Sequence, residues 1–334
     1  MSNLVRRMTR QYGAARAGTI AALVLGAVLC TTTSLVAATQ TFCVLVPHFK
    51  DEYWLSVGYG LEQEAARQDI DLEYFEAGGY RSLESQLAQL NACAARDVDA
   101  ILIGTVAADQ PDLLDAIARI APVTPVFSLV NEMHSDALTG EIGVDWRDMG
   151  LALGRYLTKQ NPTGAAPKTA IYISGPSQAG WTGPLEEGLR TGLAGSTVTV
   201  ADVFGADTGL RQQLALVETA LAQYPNADYL IGSAPAIEAA IGYLANAPAV
   251  DPPVLMSTYI SHTVLRGLMN GQVSAVAFDD PMQQGVIAIR QATSGDAGTH
   301  TGLRIGPSIT LLTPEQDIPS AIRLSPADYF PSVQ

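Results

Sequence analysis

Pro47-His48-Phe49-Lys50-Asp51-Glu52-Tyr53-Trp54-Leu55 joins two kinds of periodicity. Before it, Phe42 to Val46 is an unbroken run of apolar and β-favouring residues, the pattern of a strand buried on both faces. After it, Trp54, Val57, Leu61 and Ala65 recur along one stripe of an amphipathic helix over about Glu52 to Gln68, with Asp51 at its natural N-cap. A strand running directly into a helix is the repeating unit of an open α/β sheet, and such a junction lies at the carboxyl edge where these sheets bind ligands. This junction carries Asp51, Tyr53 and Trp54 and no glycine-rich phosphate loop. It suits a small methylated or apolar cationic ligand better than a nucleotide.

The same alternation continues outward. Asp71 to Glu76, Ala100 to Gly104, Pro125 to Val130 and Glu141 to Val144 read as strands, with helices over about Leu83 to Ala95, Asp112 to Ile120 and Asp148 to Thr158. Asn161-Pro162-Thr163-Gly164 is a break, after which the pattern restarts. Strands are expected at Thr169 to Ser174, Val198 to Phe204, Tyr229 to Gly232, Val254 to Ser257 and Ser274 to Phe278. Helices are expected near Gly183 to Leu193, Leu210 to Gln223, Ala236 to Leu244 and Thr263 to Met269, and from Met282. Short connections between alternating strands and helices imply parallel sheets. The fold class is therefore α/β, with two similar lobes and a cleft between them, a common place for a small-molecule site. The chain after Leu312 is proline-rich and irregular.

At the other end, Arg6, Arg7, Arg10 and Arg16 precede a short apolar run, Ile20 to Leu29, and Val36-Ala37-Ala38 offers small residues at the usual cleavage spacing. Residues 1–38 read as a secretory signal peptide, too short in its apolar part for a comfortable membrane span. A lipoprotein would need Cys30 to be acylated, and the bulky Leu29 before it argues against that. The whole chain has 33 acidic and 19 basic residues and a net charge of −14. Loss of the leader removes those arginines and no acids, so the exported part should repel nucleic acid and anionic membranes. Export also places Cys43 and Cys93 in an oxidising compartment, where they form a disulfide or remain two buried thiols.

Catalytic signatures are missing. The 4 histidines, His48, His134, His262 and His300, are scattered. There is no Gly-x-Ser-x-Gly elbow, Walker motif or dinucleotide fingerprint, and no Cys/His spacing suited to a metal. No enzyme, cofactor or metal is expected.

Several motifs taken in order resemble the type I periplasmic binding proteins, and within them the branch that senses trimethylamine N-oxide. They are the opening segment extended to Val57, Glu76-Ala77-Gly78-Gly79-Tyr80, Gly143-Val144-Asp145-Trp146, Gly232-Ser233-Ala234-Pro235-Ala236-Ile237-Glu238-Ala239-Ala240-Ile241, Tyr259-Ile260-Ser261-His262 and Met282-Gln283-Gln284-Gly285. The resemblance spans nearly all of the chain after the leader. It implies a Venus-flytrap fold with three interlobe crossings, near Asp145-Trp146, Thr258-Tyr259 and Asp280-Pro281. The lobes would then comprise 39–145 with 258–281, and 146–257 with 282–312, followed by a tail over 313–334. It also implies a periplasmic sensor whose partner is the periplasmic domain of a TorS-type hybrid histidine kinase.

Trimethylamine N-oxide presents a methyl-covered, positively polarised nitrogen and an exposed oxygen. Aromatic faces suit the first and hydroxyl, indole or backbone donors the second. The 3 tryptophans, Trp54, Trp146 and Trp181, each closely follow an expected strand. Trp54 is either a core ring or a cleft ring, and Trp146 would open a helix after a crossing. Trp181 is open between cleft and surface loop. Tyr80, behind two glycines, and Tyr259 are the tyrosine candidates, with Tyr53 in support. The resemblance places the Asp51 carboxylate at the ligand, a role compatible with capping; Asp145 is either at the ligand or bonded to hinge backbone. The alternative is the solute-binding component of an ABC importer for a sugar or methylated amine. It would need hydroxyl-binding forks, for which Arg81, Arg147 and Arg266 are the nearest arginines. A third reading is an adaptor that docks on the kinase without ligand.

Overall fold

A computed structural model describes residues 39–246, 251–294, 304–316 and 322–334. The leader assigned to residues 1–38 lies outside them. The strands are β1 (Gln40–Val46), β2 (Ile70–Glu76), β3 (Ala100–Ile103), β4 (Val126–Leu129), β5 (Gly140–Ile142), β6 (Lys168–Ser174), β7 (Val198–Gly205), β8 (Tyr229–Gly232), β9 (Val254–Ser257), β10 (Val273–Phe278), β11 (Arg304–Ile305) and β12 (Thr310–Leu312). The helices are α1 (Glu52–Gln68), α2 (Leu83–Ala94), α3 (Pro111–Ile120), α4 (Trp146–Gln160), α5 (Thr182–Gly192), α6 (Leu210–Gln223), α7 (Ala234–Asn246), α8 (His262–Met269) and α9 (Pro281–Thr293).

Two six-stranded sheets result, in the orders β11-β5-β4-β3-β1-β2 and β12-β10-β9-β8-β6-β7. Apart from β11 and β12, each is a doubly wound 2-1-3-4-5 sheet, whose order reverses beside its first strand. Every pairing is parallel except that of β10 with β12. Strand β1 shows why these sheets form. Phe42, Val44 and Val46 enter one apolar layer while Cys43 and Leu45 enter the layer on the other face. Cys43 is disulfide-bonded to Cys93 of α2, with Cα atoms 6.1 Å apart.

The lobes divide the chain differently from the expected segments. Strand β10 belongs to the second sheet, whereas α9 packs on α1 and β11 joins the first sheet. No crossing occurs at Thr258-Tyr259. There the chain stays in the second lobe, held by the Thr258 N–H donating to Gly232 O at 2.8 Å, and enters α8, which packs on β10 and α7. The crossings run through Gly143 to Asp145, Asp279-Asp280, and Gly306 to Ile309. A polar residue pair after a strand looks alike in sequence whether it leaves the lobe or turns into the next helix. The last described residues are irregular, but they return to the first lobe, where Val333 bridges Tyr74 of β2.

Candidate functional site

The carboxyl ends of both sheets face one small cavity. Trp54 follows β1 and packs against Gly104, just beyond β3. Trp181 occupies the matching place after β6, against Gly175. Trp54, between the ends of β1 and β3, thus stands where the first sheet's strand order reverses, and Trp181 follows β6, beside which the second sheet's order reverses. The cavity has a volume of only about 10 Å³ and is lined by Asp51, Tyr53, Trp54, Tyr80, Val130 and Asn131 from the first lobe and by Trp146, Trp181 and Tyr259 from the second. Drug-sized ligands occupy pockets of roughly 300–1,000 Å³, so the space between these rings is far too small for one and is nearly filled by its own walls.

Its second-lobe wall is continuous aromatic surface. The Trp146 and Trp181 ring centroids are 5.5 Å apart, and Tyr259 lies 6.2 Å from Trp146 and 5.9 Å from Trp181, nearly perpendicular to both. Tyr53 approaches Tyr259 edge-on at 5.2 Å. Hydrogen bonds fix these rings. The Trp146 indole donates to Val130 O at 3.1 Å, and the Tyr259 hydroxyl donates to Asp51 Oδ2 at 2.7 Å. The Tyr53 hydroxyl donates to Asp279 Oδ2 at 2.7 Å, and Asn131 Nδ2 donates to the Tyr80 hydroxyl at 3.1 Å. Asp51 also caps α1 by accepting from the Tyr53 N–H at 3.1 Å, so one carboxylate serves the helix, the Tyr259 hydroxyl and the cavity wall.

Burial raises the Asp51 carboxyl above its ordinary range, although bonds from Tyr259 and the Tyr53 N–H oppose the shift. Burial and the neighbouring Asp51 charge push the Tyr259 phenol well up, and burial raises Tyr80, so both stay protonated donors. Among the described residues no lysine or arginine lines the cavity. The arrangement presents π faces to a small onium-like group, and the Tyr80 hydroxyl, which accepts from Asn131, keeps its own proton to offer an attached acceptor.

Of the residues singled out from the sequence, Asp51, Tyr53, Trp54, Tyr80, Trp146, Trp181 and Tyr259 all line this space. Asp145 does not. It is exposed, caps α4 by accepting the Arg147 N–H at 2.8 Å, and faces a polar groove beside the crossings. Val130 and Asn131 went unnoticed. Val130 has φ +67°, and the Asn131 N–H donates to Leu129 O at 2.7 Å across it. This is a γ-turn, strained for a β-branched residue, which presents the Val130 carbonyl to Trp146. No residue type signals such a turn; Asn131, just beyond β4 at the sheet's carboxyl edge, could have been found by position alone. Among the described residues no group of acidic, histidine or cysteine side chains could hold a metal.

A family profile described as a periplasmic binding protein domain matches residues 42–294. Periplasmic protein TorT of Escherichia coli K12 is 36% identical over 291 residues, covering 86% of this chain and 83% of that protein. The crystal structure of the TorS sensor domain–TorT complex without ligand superposes with a TM-score of 0.77 at 35% identity, covering 88% of this chain and 100% of that one. An ABC transporter solute-binding protein from Bradyrhizobium sp. BTAi1 with bound bis-tris gives a TM-score of 0.73 at 32% identity, over 89% of this chain and 90% of that one. These relatives are binding proteins rather than enzymes. With two doubly wound lobes closed on an aromatic cavity and more than a third of its aligned residues in common with TorT, the chain belongs to the periplasmic binding proteins, among their TorT-like members.

Proposed function

We propose that this protein is a periplasmic sensor that encloses trimethylamine N-oxide between its lobes and reports it to a TorS-type hybrid histidine kinase controlling anaerobic respiration. The observation that carries this reading is the aromatic enclosure contributed by both lobes, with one carboxylate and, among the described residues, no cationic side chain. Methyl groups on a positively polarised nitrogen meet the faces of Trp146 and Trp181, and the oxygen accepts from the Tyr80 hydroxyl, whose proton the Asn131 bond leaves uncommitted. Each desolvated contact of this kind contributes about 2 kcal/mol. A TorS sensor domain–TorT complex has been crystallised in the presence of TMAO, with a TM-score of 0.76 to this chain at 35% identity.

Calorimetry tests the proposal. Wild-type protein is expected to bind trimethylamine N-oxide, and Trp146→Ala to lose about 30-fold or more in affinity. Absence of heat from the wild type, with and without the kinase sensor domain, overturns it.

The importer reading draws on the likeness to the solute-binding protein. Sugar recognition needs charged or amide forks for hydroxyls, yet Arg81, Arg147 and Arg266 are all exposed and outside the cavity, and the Asn131 amide in its wall already donates to the Tyr80 hydroxyl and to Thr105 O. A thermal-shift screen of sugars against methylamines separates the two, since stabilisation by sugars alone would favour import. Signalling that survives Trp54→Ala and Trp146→Ala together would favour a ligand-independent adaptor.

A further inference from the structure

Tyr80 belongs to the first lobe, but its peptide is gripped by the second. Its N–H donates to Asp207 Oδ2 at 2.8 Å, and its carbonyl accepts from Gln178 Nε2 at 3.3 Å. The other Asp207 oxygen accepts from His48 Nε2 at 2.9 Å, and Thr208 Oγ1 lies 3.2 Å from the same nitrogen. His48 is fully buried, in the loop that carries Asp51 and leads into α1 with Trp54. Its other ring nitrogen, Nδ1, is buried without a partner among the described residues, which leaves Asp207 and Thr208 as its attachments there.

The second-lobe side of this contact is rigid. Asp207 lies between β7 and α6, and the buried Gln213 amide donates to the carbonyls of both Ala206 and Asp207 at 3.1 Å. The first-lobe side is shaped to receive it. Gly79, at φ +149°, lies against Asp207 Oδ2, where any Cβ would displace the carboxylate.

We propose that Asp207 is a positioning residue that couples closure of the lobes to the placement of Tyr80 in the cavity wall. The proposal rests on the reading that the lobes close over a small ligand. A carboxylate is required because each oxygen faces a donor, so an asparagine must turn its NH₂ toward either His48 or the Tyr80 N–H. Burial raises the Asp207 carboxyl, but the bonds from His48 and the Tyr80 N–H more than offset this and hold it below its ordinary range, so it acts as an anionic acceptor. Asp207 itself touches no part of the cavity; it acts through Tyr80.

The test compares wild type, Asp207→Asn, His48→Ala and His48→Gln by titration calorimetry with trimethylamine N-oxide and by small-angle X-ray scattering with and without it. A hydrogen bond to a charged group is worth enough that Asp207→Asn should lose about ten-fold or more in affinity. Its radius of gyration should exceed that of the wild type both with and without ligand. His48→Ala should behave likewise, while His48→Gln, whose amide N–H can replace the Nε2 donor, should recover most of the closure. Unchanged affinity and radius in Asp207→Asn overturn the proposal, as does a fall in melting temperature with no change in closure. If the wild type itself binds no trimethylamine N-oxide, the sensor reading fails. Scattering of the ligand-free proteins then decides the latch, which fails if Asp207→Asn and wild type have the same radius.

Discussion

Asp279 shows how much a single buried carboxyl can set. It sits at a crossing and accepts from the Tyr53 hydroxyl and from Gln284 Nε2 at 2.7 and 2.8 Å. Its Oδ1 and Gln284 Oε1 are buried acceptors without a partner, so ionisation is opposed by its surroundings. Burial pushes its carboxyl up to about 6, against the bonds from Tyr53 and Gln284 and with the aid of neighbouring Asp280. Glu238 is pushed up to about 7, by burial first and then by Glu52 and Asp51, with Arg266 opposing. A carboxyl that keeps its proton to higher pH when folded stabilises the protein fully below the unfolded value, and that contribution is lost as pH rises through the folded one. For Asp279 the window runs from its ordinary 3.8 to about 6 and spans up to about 3 kcal/mol. Asp279→Asn should therefore raise the melting temperature more at pH 8 than at pH 4.5, and equal shifts at both would refute this. Residue-scale features divide in legibility. Trp54, Trp146 and Trp181 were visible because a rare aromatic just after a strand falls at the sheet's carboxyl edge. The strained turn at Val130 and the reach of Asp207 across the cleft depend on partners distant in sequence, which local patterns do not encode.

Helix pairs in both lobes approach so closely that only glycine fits between them. A Cβ on Gly60 of α1 would strike the Met282 carbonyl of α9, and one on Gly285 of α9 would strike that of Val57. In the other lobe, Gly150 of α4 meets the Leu185 carbonyl, and Gly188 of α5 meets that of Arg147. Two effects compete in a Gly→Ala change here. Helix propensity favours alanine by about 1 kcal/mol, whereas overpacking costs about 1–3 kcal/mol. At Gly60 the struck atom is backbone and cannot rotate away, so overpacking wins and Gly60→Ala should lower the melting temperature. Gly242 of α7 is exposed with nothing within 4 Å of a new Cβ, so Gly242→Ala should raise it. Denaturant titration of the pair checks the opposite signs, and a shared sign would defeat the argument. The elements themselves were readable because strands buried on both faces form unbroken apolar runs between periodic helices. Their membership of a lobe was not. With the 2-1-3-4-5 order in both sheets, nothing local to β10 or α9 says which sheet each joins, and only the distant contacts α1–α9 and β9–β10 decide it.

At the scale of the molecule, the last described residues act as a strap rather than a loose end. The Ser325 N–H donates to Ser56 Oγ of α1 at 3.3 Å, while Ser325 O accepts from His262 Nε2 of α8 at 2.7 Å, so one residue ties a helix of each lobe. Further on, Tyr329 packs edge-on against Tyr59 at 5.1 Å and Phe330 against Phe49 at 5.7 Å. The Gln334 N–H then donates to Tyr74 O at 2.9 Å beside the Val333 bridge, occupying the outer edge of β2. An edge strand left open invites pairing with another chain, and Phe49 would lose cover in the same step. Removal of residues 322–334 should lower the melting temperature by roughly 5 °C or more and produce light scattering on heating that the intact chain lacks. The cavity lining contains none of these residues. The truncated protein, kept cold, should therefore retain its aromatic site, and any change in ligand affinity should track the loosened α1–α8 tie rather than a lost contact. A truncation that leaves both melting and scattering unaltered would mean that β2 and α1 are held by the first lobe alone.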